Sequence, residues 1–174
     1  LWMGRSAAVK GPTRFLELAR LKPGLKFTMV CQPAADDMDF GKLASEAAGI
    51  HNLTFVPGVP FGQTDTYFAG AKVLVNTSDS EGFPNVFVQA TKYGVPILSL
   101  NVNPDGFLDK YRCGLCAGGD WRRFVEMLDM LLDAANYAAY SENARGYFNE
   151  NHDMGTIIAK YKESLIGSAD GYRR

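Results

Sequence analysis

Apolar positions along this chain follow two periods in alternation. Short apolar runs such as Val73-Leu-Val-Asn-Thr77 read as strands buried on both faces. Between such runs apolar residues recur at helical spacing, as in Phe15, Leu16, Leu18 and Ala19, or Phe83, Val86, Phe87 and Ala90, or Phe124, Met127, Leu128, Leu131 and Leu132. The pattern predicts strands near 1–4, 26–31, 53–56, 72–77, 96–100 and 113–117. It predicts helices near 12–21, 39–48, 64–70, 83–93, 104–110, 120–133, 136–149 and 154–166. Strand and helix alternating as far as the sixth strand imply an α/β fold, a Rossmann-like parallel sheet of about six strands with helices on both faces. Right-handed crossovers make it doubly wound. Such a sheet binds ligands beyond the carboxyl ends of its strands where the strand order reverses, commonly between the first and fourth.

Those two strands deliver the residues with the most chemistry. After the first, the chain reads Gly4-Arg5-Ser-Ala-Ala-Val-Lys10-Gly11-Pro12, a glycine-containing loop with two cations ahead of a helix. Arg5 presents a fork suited to phosphate oxygens and Lys10 a point charge; read without context, both are solvated surface cations. After the fourth strand comes Ser78-Asp-Ser-Glu81-Gly82-Phe83-Pro84-Asn85-Val-Phe-Val-Gln89. Gly82 permits close approach of a ligand, and Pro84 suits a first helical turn. Unpaired N–H groups at the helix start favour an anion or a ring of hydroxyls. Glu81 beside them is a hydroxyl acceptor, or simply an acid complementing the helix dipole. Ser78 has two readings, a phosphate ligand or a turn cap.

Together these stretches resemble the C-terminal, nucleotide-sugar-binding half of retaining glycosyltransferases with the GT-B fold (glycosyl transferases group 1), the large family that includes glycogen synthase and sucrose synthase. That family carries Gly-Arg…Lys-Gly on the first strand–loop–helix and Glu-x7-Glu on the fourth. The likeness runs from about Leu1 to about Leu165 and takes in Phe55-Val-Pro-Gly58-Val59, Gly94-Val-Pro96 and Cys113-Gly-Leu…Gly119-Asp120. It implies that Arg5 and Lys10 bind the donor pyrophosphate and stabilise the departing diphosphate, with no metal and no cofactor. It implies that Glu81 contacts the donor sugar, and that Gly4, Ser78, Gly82, Phe83, Pro84 and Asn85 border sugar and phosphate. The donor would be a UDP-, GDP- or ADP-sugar, its base read by the loop from Val56 to Phe61 and in particular by Pro57, Gly58 and Val59, although turn chemistry alone explains that composition equally well. One position departs from the family: the second glutamate is Gln89. An amide still accepts a ribose hydroxyl through its carbonyl oxygen, but without charge. On charge alone, restoring glutamate at 89 is expected to tighten nucleotide binding.

Size and composition narrow the rest. The 174 residues suffice for one domain, assigned to 1–166, with 167–174 as a disordered tail. The net charge of -1 excludes nucleic acid as the main partner. No run approaches a membrane span. The chain opens inside an expected strand, so we expect a fragment whose N-terminal acceptor domain is missing. A glycan or lipid-linked acceptor, and any membrane contact, would come through that half, with a cytoplasmic location and peripheral association at the inner face. Cys113 and Cys116 have zinc-ligand spacing but no second pair, and read as small core residues of a strand. The loop from Asn101 to Gly106 has two readings, a border of the sugar or an Asx-turn and helix cap, of which the second is favoured. Two rival functions remain: a non-catalytic domain binding a phosphate ligand or a protein, favoured by Gln89, and a GT-B-like nucleotide-sugar epimerase, which would need a histidine near the sugar.

Overall fold

A computed structural model describes residues 1–35, 40–158 and 160–162. In chain order the elements are β1 (Trp2–Arg5), α1 (Pro12–Leu21), β2 (Phe27–Gln32), α2 (Phe40–Ala48), β3 (Leu53–Val56), α3 (Thr64–Ala69) and β4 (Leu74–Asn76). They continue with α4 (Asn85–Lys92), β5 (Ile97–Ser99), α5 (Phe107–Lys110), β6 (Gly114–Cys116), α6 (Trp121–Leu132) and α7 (Ala134–Asn151). The expected alternation therefore holds: β1, β2 and β3 have the expected lengths, the first two shifted by one residue, and β4, β5 and β6 are two or three residues shorter than expected. The expected helix near 104–110 shrinks to α5, because Asp105 adopts a left-handed backbone (φ 51°) that interrupts the turn before it. Residues 154–158 and 160–162 are helical. The end of that expected helix and the tail 167–174 lie outside the described residues.

All strand pairs are parallel, but the six strands form two sheets of three, in the orders β1-β2-β3 and β4-β5-β6. The sheets meet edge to edge at β1 and β4. Leu1 N donates to Val73 O at 2.9 Å, and Val75 N donates to Leu1 O at 2.8 Å. Among the described residues no further backbone hydrogen bond joins these strands, so they part toward their carboxyl ends. One continuous sheet was expected; instead a seam runs through the point where the strand order reverses, and its open end is a crevice.

Alternate residues of each strand face opposite layers, as the two-residue period of a strand requires. Val73, Val75, Leu98 and Leu100 pack with Phe15, Leu16, Leu43, Phe124, Leu128 and Leu131 from α1, α2 and α6. Leu74 and Ile97 turn the other way, onto Phe68, Phe87, Ala90, Phe107 and Tyr147 from α3, α4, α5 and α7. Helices thus cover both faces, and the α6 stripe read from the sequence is core. Cys113 is buried within the second layer and Cys116 packs at its edge. Burial pushes the Cys113 thiol up to about 12, the signature of a packing residue rather than a nucleophile.

The loop from Ser6 to Gly11 is bolted to the end of β4. Trp2 Nε1 donates to Thr77 Oγ1 at 2.9 Å, and that hydroxyl lies 2.8 Å from both Lys10 O and Gly11 O. Asp79 N donates to Val9 O at 2.9 Å, and Arg14 Nη1 reaches Thr77 O at 3.0 Å and Asp79 Oδ1 at 2.6 Å. Gly11 ends a helical turn in the left-handed region (φ 58°), and a Cβ there would lie 2.5 Å from Thr77 O. Strain and clash together imply that Gly11→Ala costs about 2–4 kcal/mol. The check is chemical unfolding: a lower denaturant midpoint at unchanged slope is expected, and an unchanged midpoint would show that this turn does not need glycine.

Candidate functional site

The crevice at the parted ends of β1 and β4 has a volume of about 510 Å³, within the range usual for small-molecule sites. Its walls come from the carboxyl ends of β1, β2 and β4, the loop after β3, and the start of α4. Its charged lining residues are Arg5, Lys10 and Glu81, two cations and one carboxylate. The two motifs found at separate strand ends therefore share one cavity.

Glu81 is the best-held side chain in it. Oε1 accepts from Ser78 Oγ at 2.6 Å and from Asn76 Nδ2 at 2.9 Å, while Oε2 faces Lys10 Nζ in a close ion pair. Only 12% of the Glu81 side chain is exposed. Burial alone would raise its pKa, but hydrogen bonds from Lys10, Ser78 and Asn76 outweigh burial and hold the carboxyl below the usual glutamate range. A lowered pKa means that the pair stabilises the fold above about pH 4.3 and that this contribution is lost as pH falls through the native value. Stability measured against pH should therefore drop more steeply below about pH 4.3 in the wild type than in Glu81→Gln; parallel curves would contradict the ion pair.

Asn76 is held in turn. Its Oδ1 accepts from Ser78 N at 3.2 Å and lies 3.5 Å from Ser99 Oγ, the residue opposite it in the β4/β5 register. Arg5 differs from Lys10. It is exposed at the crevice mouth, and its side chain makes no hydrogen bond or ion pair among the described residues. A guanidinium without a protein partner beside an already neutralised lysine–glutamate pair leaves the crevice receptive to an anion.

Of the residues singled out from sequence, Gly4, Arg5, Lys10, Val59, Ser78, Glu81, Phe83, Pro84, Asn85 and Gln89 line the crevice; Pro57, Gly58 and Gly82 do not. Gly58 is instead a turn residue (φ 78°) whose Cβ would lie 2.8 Å from Gln32 Cγ. Gly82 faces open space with an ordinary backbone. Pro84 is not in a first helical turn. Its ψ of 125° is extended, α4 begins only at Asn85, and Phe83 belongs to the loop. No side chain caps that helix, so its first N–H groups remain available to a ligand. Phe61, the last residue of the loop expected to read the base, also lines the crevice, whereas sequence reasoning missed Gln32, Thr64 and Asn76. Asn76 had a visible signal, a polar residue ending an apolar run. Gln32 Nε2 donates to Val59 O at 3.1 Å and so occupies a carbonyl of the loop expected to read a base. Asn103 is not the N-cap of α5, which is Gly106, but its Oδ1 accepts from Leu108 N in the first turn of that helix at 2.9 Å.

Residues 1–147 match the family described as "Glycosyl transferases group 1". The chain belongs to that family. A D-inositol 3-phosphate glycosyltransferase from Mycolicibacterium paratuberculosis is 26% identical over 94% of this chain and 40% of its own length. The chain thus spans less than half of this curated relative. Among solved structures, the C-terminal domain of a glycosyl transferase group 1 family protein (LpcC) from Francisella tularensis superimposes with a TM-score of 0.74 at 18% identity, covering 88% of this chain and 85% of that one. Anabaena Alr3699/HepE, crystallised with UDP, gives 0.75 at 19% identity over 95% and 48%. At such identities the structural likeness is one of fold. The group 1 glycosyl transferase fold here is half of a GT-B architecture, as the sequence implied. Neither His51 nor His152 lines the crevice. Among the described residues no group of three or more His, Cys, Asp or Glu is placed to hold a metal, and no helix is long and apolar enough to cross a membrane.

Proposed function

We propose that this chain is the donor-binding half of a retaining glycosyltransferase and that a nucleoside diphosphate sugar binds in the crevice between β1 and β4. The observation that carries the reading is the convergence there of Arg5 without a protein partner, the Lys10–Glu81 pair and the uncapped start of α4. The nucleotide bound by Alr3699/HepE supports the same class of ligand. Breaking the bond from sugar to phosphate concentrates negative charge on the leaving diphosphate. Arg5, Lys10 and the N–H groups of α4 are fixed positive partners for it and need no metal ion to act. When phosphate takes Lys10, Glu81 Oε2 is released while Asn76 and Ser78 keep Oε1 in place. That freed oxygen is then the acceptor for a sugar hydroxyl.

The acceptor, the remaining catalytic groups and any membrane contact belong to a second half of the enzyme, working in the cytoplasm on a polysaccharide or surface glycan. By itself the chain binds donor without transferring sugar. A thermal-shift panel with UDP, GDP, ADP and CDP tests the reading, since a ligand at ~100 times its dissociation constant adds about 2.7 kcal/mol. One preferred diphosphate is the expected result; no shift with any of the four, in this chain or a longer form, would overturn it.

A further inference from the structure

Gln89 lies on α4 four residues after Asn85, about 6 Å along the axis from the helix start. A ligand phosphate at the N–H groups of that start therefore leaves residue 89 facing the next part of the molecule. The Gln89 amide is not free to turn. Its Nε2 lies 3.2 Å from Thr64 Oγ1, and Thr64 Oγ1 lies 2.7 Å from Phe61 O, which also accepts from Thr64 N. Thr64 is buried, at 7% exposure. A hydroxyl has one proton. Committed to Phe61 O, it leaves only lone pairs toward Gln89, so the atom of the amide that meets it must be the nitrogen. Oε1 is left without a partner among the described residues, on a side chain that lines the crevice.

We infer that Thr64 is a positioning residue that locks the Gln89 amide with its carbonyl oxygen toward the crevice, an oriented neutral acceptor for the ribose hydroxyl that the family resemblance already implies at this position. The inference rests on the donor-site reading above. A carbonyl oxygen only accepts, so its partner is an O–H or N–H donor, as a ribose hydroxyl is, and not an ionised phosphate. The same lock reverses the expectation drawn from charge alone. A glutamate at 89 would set a carboxylate against the Thr64 lone pairs, and the hydroxyl would have to abandon Phe61 O to satisfy it.

Calorimetry with the best-binding nucleoside diphosphate and its 2′,3′-dideoxy counterpart tests this. Thr64→Val should weaken the ribonucleotide about three- to tenfold, the range of one neutral hydrogen bond, and leave the dideoxy ligand unchanged. Thr64→Ser, which keeps the hydroxyl, should bind as the wild type. In a Gln89→Ala background Thr64→Val should have no effect, and Gln89→Glu should gain affinity only when combined with Thr64→Val. An equal loss for both ligands, or a Thr64→Val effect that persists without Gln89, would overturn the positioning role in favour of a purely structural one. Failure of the wild type to bind any diphosphate would sink the donor-site reading, and the ribose role with it. The Thr64–Gln89 contact is read separately from the Gln89 side-chain amide resonances: a shift in Thr64→Val is expected, and identical resonances would remove the contact itself.

Discussion

Lys10→Met is expected to abolish nucleoside diphosphate binding at micromolar protein while leaving the chain folded. Two effects add. The ammonium is lost as a phosphate partner, and Glu81, 12% exposed and held by Asn76 and Ser78, is left as an unneutralised carboxylate facing the ligand. Truncating one member of a buried, hydrogen-bonded charge pair typically costs 2–5 kcal/mol, or about 30-fold to several thousand-fold in affinity. Without its lysine, Glu81 keeps the desolvation and loses its strongest favourable contact, so its pKa should rise. Binding that recovers as pH falls toward that raised value separates the two effects. Adding Glu81→Gln should recover part of the affinity, because it removes the repulsion but not the need for a cation. Calorimetry on the three proteins is the check, and unchanged affinity in Lys10→Met would place the phosphates elsewhere.

Arg5→Ala is expected to weaken the same ligand about 10- to 150-fold, the range for a hydrogen bond to a charged group, at nearly unchanged stability. Arg5 is exposed and pairs with nothing among the described residues, and surface changes of that kind stay within about 0.5 kcal/mol. Affinity falls and the melting temperature holds. A variant that melts early and binds normally would make Arg5 a structural residue.

The parts of the site legible in the sequence are those set by a single strand end. Gly4-Arg5 and Lys10-Gly11, then Ser78 and Glu81, each sit on one strand–loop–helix passage, where glycine, charge and helix start are adjacent in the chain. The parts that stayed hidden depend on contacts between passages. Gln32 reaches the crevice because β2 pairs with β1 in a register that sets it opposite Arg5. Thr64 matters only because α3 lies beside α4, which brings its hydroxyl to Gln89. The splitting of the sheet was also illegible, since hydrophobic runs mark strands but carry no record of where two neighbours part. Pro84 shows the limit of a local rule. Proline suits both the first helical position and the residue before it, and the extended ψ that decides between them is set by the loop carrying Phe83, whose ring packs 5.1 Å from that of Phe107.

The measurement that bears most directly on the donor site is a crystal structure of this chain with its preferred nucleoside diphosphate. The diphosphate should lie between Arg5 and the first N–H groups of α4, with Lys10 turned from Glu81 onto a phosphate oxygen and Gln89 Oε1 within hydrogen-bond reach of the ribose. A diphosphate bound outside the crevice, or bound in it with the Lys10–Glu81 pair intact and Arg5 still in solvent, would contradict the site described here.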